Sequence, residues 1–234
     1  MTTEPSRRPR LDILDLCALV AGVAALALAF HVWRYGPAGP IPMHLNFAGR
    51  VDRWGDRSQA ALLLAAITGL LGLGYALLAA MARRQAPDSP ARRGLRFARM
   101  AVVVVGVLVA GLVAEMVFAA AALGADPAGP AKLRVGTLSL IFAVLGALMG
   151  KAGPNPVVGV RTYWALKSRL AWDKSNRLAG RLFFWIGLAG FLAAPAAPSE
   201  LATTILIVAI LAAAALSVFE SWRVWRADPD RILP

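Results

Sequence analysis

The chain is poor in the groups on which most site chemistry depends. It has one cysteine, Cys17, two histidines, His31 and His44, and 13 acidic residues against 25 lysines and arginines in 234 positions. A lone cysteine forms no intrachain disulfide, so redox chemistry is not expected. Two separated histidines with no Cys/His cluster leave no zinc set, and neither a metal nor a cofactor is expected. There is no Gly-Lys loop to cradle phosphates and no nucleophile elbow, which excludes a P-loop ATPase and a serine hydrolase. No segment pairs an acid with a base or a nucleophile with a base, so the chain does not read as an enzyme.

What is abundant is apolar. Hydrophobic residues make up 59% of the chain and the mean hydropathy is +0.63, too high for an ordinary soluble domain. Six runs, at about 13–33, 60–82, 97–123, 133–150, 180–198 and 201–222, approach the ~20 residues that cross ~30 Å of hydrocarbon. The fifth is shortened by Pro195 and Pro198. The first contains an Ala27-Leu28-Ala29 stretch that resembles a signal cleavage site, but its apolar run exceeds the usual ~7–15 residues and is expected to persist as a helix. The fold class expected is all-α: a polytopic membrane protein with six transmembrane helices.

Basic residues orient these helices. With the N-terminus inside, the cytoplasmic segments hold Arg7, Arg8 and Arg10, six arginines from Arg83 to Arg99, seven cations from Lys151 to Arg181, and Arg223, Arg226 and Arg231. Nineteen of the 25 basic residues then lie on one side, so both termini are expected in the cytoplasm, residues 36–58 outside and 151–179 inside. The net charge of +12 therefore points to anionic lipid at helix ends and not to direct binding of nucleic acid.

Two polar segments stand out between the runs. In the outer one, Gly36-Pro37-Ala38-Gly39-Pro40-Ile41-Pro42 imposes extended and turn geometry, because each proline fixes φ and restricts its predecessor. The following IPMHLNFAGRVDRWG (41–55) presents His44, Asn46, Asp52 and Trp54, with Gly49 and Gly55 suited to turns. These four are the candidate ligand-binding residues outside. Trp54 and Phe47 would serve equally as interfacial anchors, and Asp52 as a turn cap.

The inner segment is NPVVGVRTYWALKSRLAWDKSNRLAG (155–180). Gly153-Pro154-Asn155-Pro156 ends the fourth run, and Gly159 permits a turn. From Tyr163 to Leu178, tryptophans and leucines alternate with cations, which fits a segment lying at the membrane surface with Trp164 and Trp172 at headgroup level. The candidate functional residues here are Asn155, Gly159, Arg161, Thr162, Trp164, Trp172, Asn176 and Arg177.

Both segments carry a resemblance. IPMHLNFAGRVDRWG resembles the N-terminal domain of unknown function of the SdpI immunity-protein family, at Ile41, Pro42, His44, Asn46, Gly49, Asp52, Trp54 and Gly55. The inner segment is similar to that family's signature at Asn155, Gly159, Arg161, Thr162, Trp164, Leu166, Trp172, Arg177 and Gly180. Tyr163 replaces the family's usual proline, and Asn176 its frequent histidine. The resemblance implies a multi-pass protein of the bacterial cytoplasmic (inner) membrane. In the founding member it implies protection against a secreted, membrane-active peptide toxin and recruitment of a cytoplasmic repressor once toxin is bound. It divides the chain into an N-terminal two-helix region with the outside loop, 1–96, and an SdpI-like four-helix region with the inside loop, 97–234.

A second expectation rests on Glu115 in the third run, about 12 Å from its outer end at ~1.5 Å per residue. A carboxylate at that depth faces a partner helix or a cavity. A small transporter or lipid-handling protein would use Glu115 along a path and the Arg161 loop for an anionic headgroup. Asp12 and Asp15 read as charges at a helix N-terminus, and Gly146, Gly150, Gly69, Gly72 and Gly74 as sites of close helix packing.

Overall fold

The apolar runs fold as antiparallel helices with their polar connections gathered at two ends. The computed structural model describes residues 11–46, 50–122 and 128–232; the expectations for Arg7, Arg8, Arg10, Phe47 and Gly49 lie outside these. In chain order the elements are α1 (Ile13–Tyr35), β1 (Ile41–Leu45), β2 (Val51–Gly55), α2 (Arg57–Arg83), α3 (Pro90–Ala122), α4 (Ala128–Met149), α5 (Tyr163–Leu166), α6 (Arg169–Ala193) and α7 (Ser199–Ala227). The protein is all-α and polytopic apart from one hairpin. Among the described residues α1, α2, α3, α4 and α7 are long and apolar enough to cross a membrane.

The fifth expected run behaves differently. α6 begins at Arg169, well before residue 180, and ends at Ala193, ahead of Pro195. Its first half carries Arg169, Asp173, Lys174 and Arg177, which keeps it below the apolarity of a spanning helix. It nevertheless runs antiparallel to α4 along its length. A Cβ on Gly146 would lie 2.6 Å from the Gly180 carbonyl oxygen, and one on Gly136 would lie 3.7 Å from Ala194 Cβ. At the far end the Lys132 ammonium donates to the Pro195 carbonyl oxygen at 2.9 Å.

Glycine thus permits close backbone approach at Gly146 and Gly180, as expected for the first of these. Gly69 and Gly72 do not behave so: a Cβ on either would meet nothing within 4 Å. Gly72 instead lines an apolar cavity between α1, α2 and α3.

Two apolar clusters mark the ends. One gathers Val32, Ile41, Ala60, Leu64, Val113 and Val117, so the hairpin is seated on the ends of α1, α2 and α3 through Ile41. The other gathers Leu78, Leu95, Ala98, Leu148, Met149 and Ala152 at the opposite end, around the turn that leaves α4.

Candidate functional site

The hairpin pairs Ile41 with Gly55, Pro42 with Trp54 and His44 with Arg53, with irregular register around His44. Asn46 closes its turn: its backbone N–H donates to the Arg50 carbonyl at 2.9 Å, and its Oδ1 accepts from Arg50 N–H at 3.0 Å. His44 Nδ1 and Asp52 Oδ1 lie 2.6 Å apart, both exposed. Trp54 is 56% exposed beside them. The structure therefore unites His44, Asn46, Asp52 and Trp54 in one small surface, with Asn46 as the organiser of the turn. Asp52 holds the histidine.

Arg50 reaches out of this hairpin. Its Nε and Nη2 donate to the two Glu200 carboxylate oxygens, each at 3.1 Å, which ties the hairpin to the first turn of α7. The far end of α7 meets the inner segment. Ser221 Oγ and Thr162 Oγ1 are 2.7 Å apart, and Ser168 Oγ donates to Asp228 Oδ2 just beyond the helix.

The inner segment folds as a partly buried loop, one turn of helix and the start of α6. Asn155 is buried and wholly used within the loop: its Nδ2 donates to Gly153 O and Val158 O, and its Oδ1 accepts from Val157 N–H and Val158 N–H, at 2.7–2.9 Å. Asn176 Oδ1 accepts from Val160 N–H at 2.8 Å, while its Nδ2 donates to Trp172 O at 2.9 Å. Gly159, at φ +127°, makes this approach possible, since a Cβ there would lie 2.5 Å from Asn176 Oδ1. Thr162 caps α5 by accepting from Ala165 N–H at 3.1 Å.

Trp172 departs most from expectation. Its side chain is fully buried within the protein instead of facing outward, with Nε1 donating to Ala152 O at 3.0 Å. Its position in α6, four residues before Asn176, turns it into the bundle.

The signature residues accordingly divide. Asn155, Gly159, Thr162, Trp172 and Asn176 form a rigid corner, which explains why a buried polar group is tolerated there: its hydrogen-bonding atoms are satisfied. Arg161 and Arg177 are exposed cations, and they follow Val160 and Asn176, the two residues joined by a hydrogen bond. Trp164 is half-buried and lines an open apolar groove with Val218, Phe219 and Trp222 of α7.

Glu115 lies apart from both surfaces. Its Oε2 is 3.6 Å from Arg134 Nε of α4, with both side chains close to nine-tenths buried. The pair neutralises two charges between α3 and α4 at a separation longer than a hydrogen bond, and among the described residues no hydrogen bond reaches either Glu115 oxygen.

One cluster escapes sequence reading altogether. Arg99, 5% exposed, donates to Asp12 Oδ1 and Oδ2 at 2.8 and 2.9 Å and to Asp15 Oδ1 at 2.8 Å, and also meets the Tyr75 hydroxyl. Asp12 and Asp15 do form the capping box of α1, as their position suggests. Their second task, fastening α1 to α3, is signalled only by an arginine placed well inside the α3 helix.

Residues 151–221 match the model of the SdpI/YfhL protein family, and residues 20–69 match a domain of unknown function, DUF1648. The chain carries an SdpI/YfhL family region behind a DUF1648 region. Its DUF1648 segment holds the hairpin and its SdpI segment holds the corner, which are the two places the sequence singled out. No curated protein and no solved structure matches the chain.

Proposed function

We propose that this SdpI-like membrane protein is a receptor of the bacterial inner membrane. In this reading it binds a membrane-active peptide outside at His44, Asn46, Asp52 and Trp54, confers immunity by doing so, and passes occupancy to a cytoplasmic repressor at the Arg161 corner. All six helical segments, α6 included, cross the bilayer, and both termini are cytoplasmic. The protein acts by binding and catalyses no reaction.

The observation that carries the proposal is the continuity of α7. Glu200 at its start holds Arg50 of the hairpin, and Ser221 near its end holds Thr162 of the corner. The helix between them spans about 32 Å at ~1.5 Å per residue, close to the ~30 Å of a hydrocarbon core. The Arg50–Glu200 contact is exposed and weak, so an amphipathic peptide seated against Trp54 and the His44–Asp52 pair can displace it. A rigid helix freed at one end transmits a change to the contacts at its other end.

The test is membrane depolarisation by the secreted peptide fraction of the cell that makes this protein, in a sensitive strain carrying the full chain. Wild type should protect, whereas Asp52→Ala and Trp54→Ala should not, at equal abundance in the membrane. Equal depolarisation with and without the wild-type chain would overturn the reading.

The transporter alternative loses ground on one geometric point. Glu115 already has Arg134 as a charge partner, so the pair reads as a bond between helices and not as a free acid along a path.

A further inference from the structure

A second pocket lies at the end of the bundle opposite the hairpin, where α1 begins, α2 ends and α3 begins. It encloses about 340 Å³ and four arginines face it: Arg92, Arg93, Arg96 and Arg99. Of these, Arg99 is neutralised by Asp12 and Asp15. Arg92, Arg93 and Arg96 form no ion pair among the described residues, nor does Asp88 in the adjoining turn.

Like charges three and four residues apart on one helix repel each other, and Arg92, Arg96 and Arg99 occupy successive turns of α3 in that spacing. Among the described residues, Asp12 on the wall and Asp15 behind it are both spent on the Arg99 guanidinium. Arg92, Arg93 and Arg96 therefore leave the cavity with an excess of positive charge that an anionic ligand would balance. Guanidinium forks match the oxygens of a phosphate in two-point contacts, which a diffuse counter-ion cloud does not exploit.

Apart from the arginines and Asp12, the rest of the wall is apolar. Ile13, Leu14, Ala82 and Pro87 complete it, and the Ile13 side chain is largely exposed. A wall that is basic on one side and apolar on the other suits an amphiphile better than a free ion. We propose that this pocket is a binding site for a phosphate-bearing anion, and that its occupant is the headgroup of an anionic phospholipid. The bound lipid bridges α1 and α3 beside the Arg99–Asp12 contact.

The experiment uses the full chain, purified in neutral detergent and incubated with phosphatidylglycerol, with phosphatidylcholine or with inorganic phosphate, and read by native mass spectrometry and thermal unfolding. Wild type should retain one phosphatidylglycerol and be stabilised by it, with no comparable effect of phosphatidylcholine. Arg92→Gln/Arg96→Gln should weaken retention at least tenfold, and Arg92→Lys/Arg96→Lys should fall between, because charge survives and the fork does not. Arg83→Gln/Arg84→Gln removes the same charge at the same end of the bundle, outside the pocket, and should leave retention unchanged.

Stabilisation by inorganic phosphate alone, with the same dependence on Arg92 and Arg96 and no retained lipid, would keep the phosphate site but overturn the lipid as its occupant. Equal loss in the two glutamine pairs would mean that diffuse charge holds the lipid, and would overturn the site. So would undiminished retention in Arg92→Gln/Arg96→Gln.

Discussion

The Arg99 guanidinium grips both carboxylate oxygens of Asp12, 87 positions earlier in the chain, at 2.9 and 2.8 Å. The hydrogen bond from Arg99 holds the Asp12 carboxyl below its ordinary pKa of 3.8, against an opposing push from burial. A carboxylate whose pKa is lower in the folded state stabilises fully above its unfolded value, and the benefit disappears as the pH falls through the folded value.

Asp12→Asn tests this cleanly, because asparagine still caps a helix but carries no charge. The variant should unfold at a lower temperature than wild type near neutral pH. The difference should narrow below about pH 3.8, as the wild-type carboxyl loses its charge too. A difference that stays constant from neutral to strongly acid pH would assign the effect to packing.

Glu115 and Arg134 make a second prediction with opposite signs for single and double changes. Removing one partner of a buried pair leaves an uncompensated charge and typically costs about 3–5 kcal/mol, whereas replacing both with apolar groups of similar size is often neutral or stabilising. Glu115→Gln and Arg134→Met should each lower the unfolding temperature, and Glu115→Gln/Arg134→Met should recover most of it. Equal and additive losses in the double variant would argue that the two side chains act separately. Full stability with abolished activity in Glu115→Gln would revive the transporter reading.

The corner separates support from recognition. Trp172→Ala empties a fully buried site and should cost about 3–5 kcal/mol, seen as reduced membrane abundance. Arg161 is exposed, so Arg161→Ala should leave abundance near wild type while complementation fails. Arg161→Lys decides its role: if the planar fork matters, lysine should fail nearly as badly as alanine, and if only charge matters, lysine should behave as wild type.

The sequence made the long helices legible, since apolar runs of spanning length have few other uses in so hydrophobic a chain. α6 was harder to read. Asp173, Lys174, Ser175 and Asn176 interrupt the apolar pattern, yet Asn176 is at home in the helix because its Nδ2 donates to Trp172 O one turn earlier. The same mixture made Trp172 resemble an interfacial anchor when it is a core residue.

The hairpin's extended character followed from its prolines and glycines, but the contact of His44 with Asp52 depends on a closure by Asn46 that no local sequence pattern announces. Contacts between distant segments were out of reach. Arg50 with Glu200, Glu115 with Arg134, and Arg99 with Asp12 and Tyr75 each join charges or hydroxyls that a linear reading assigns to local tasks, such as orienting the chain in the membrane.

The account depends above all on the two matched segments facing opposite sides of the membrane, with the hairpin outside and the corner in the cytoplasm. In a Cys17→Ala background, single cysteines at Gly39 beside the hairpin and at Lys151 beside the corner can be exposed to a membrane-impermeant thiol reagent, since both positions are open. In intact cells the Gly39→Cys protein should be labelled and the Lys151→Cys protein should not, becoming reactive only after permeabilisation. Labelling of Lys151→Cys in intact cells would contradict the orientation, and with it the route from hairpin to corner along α7.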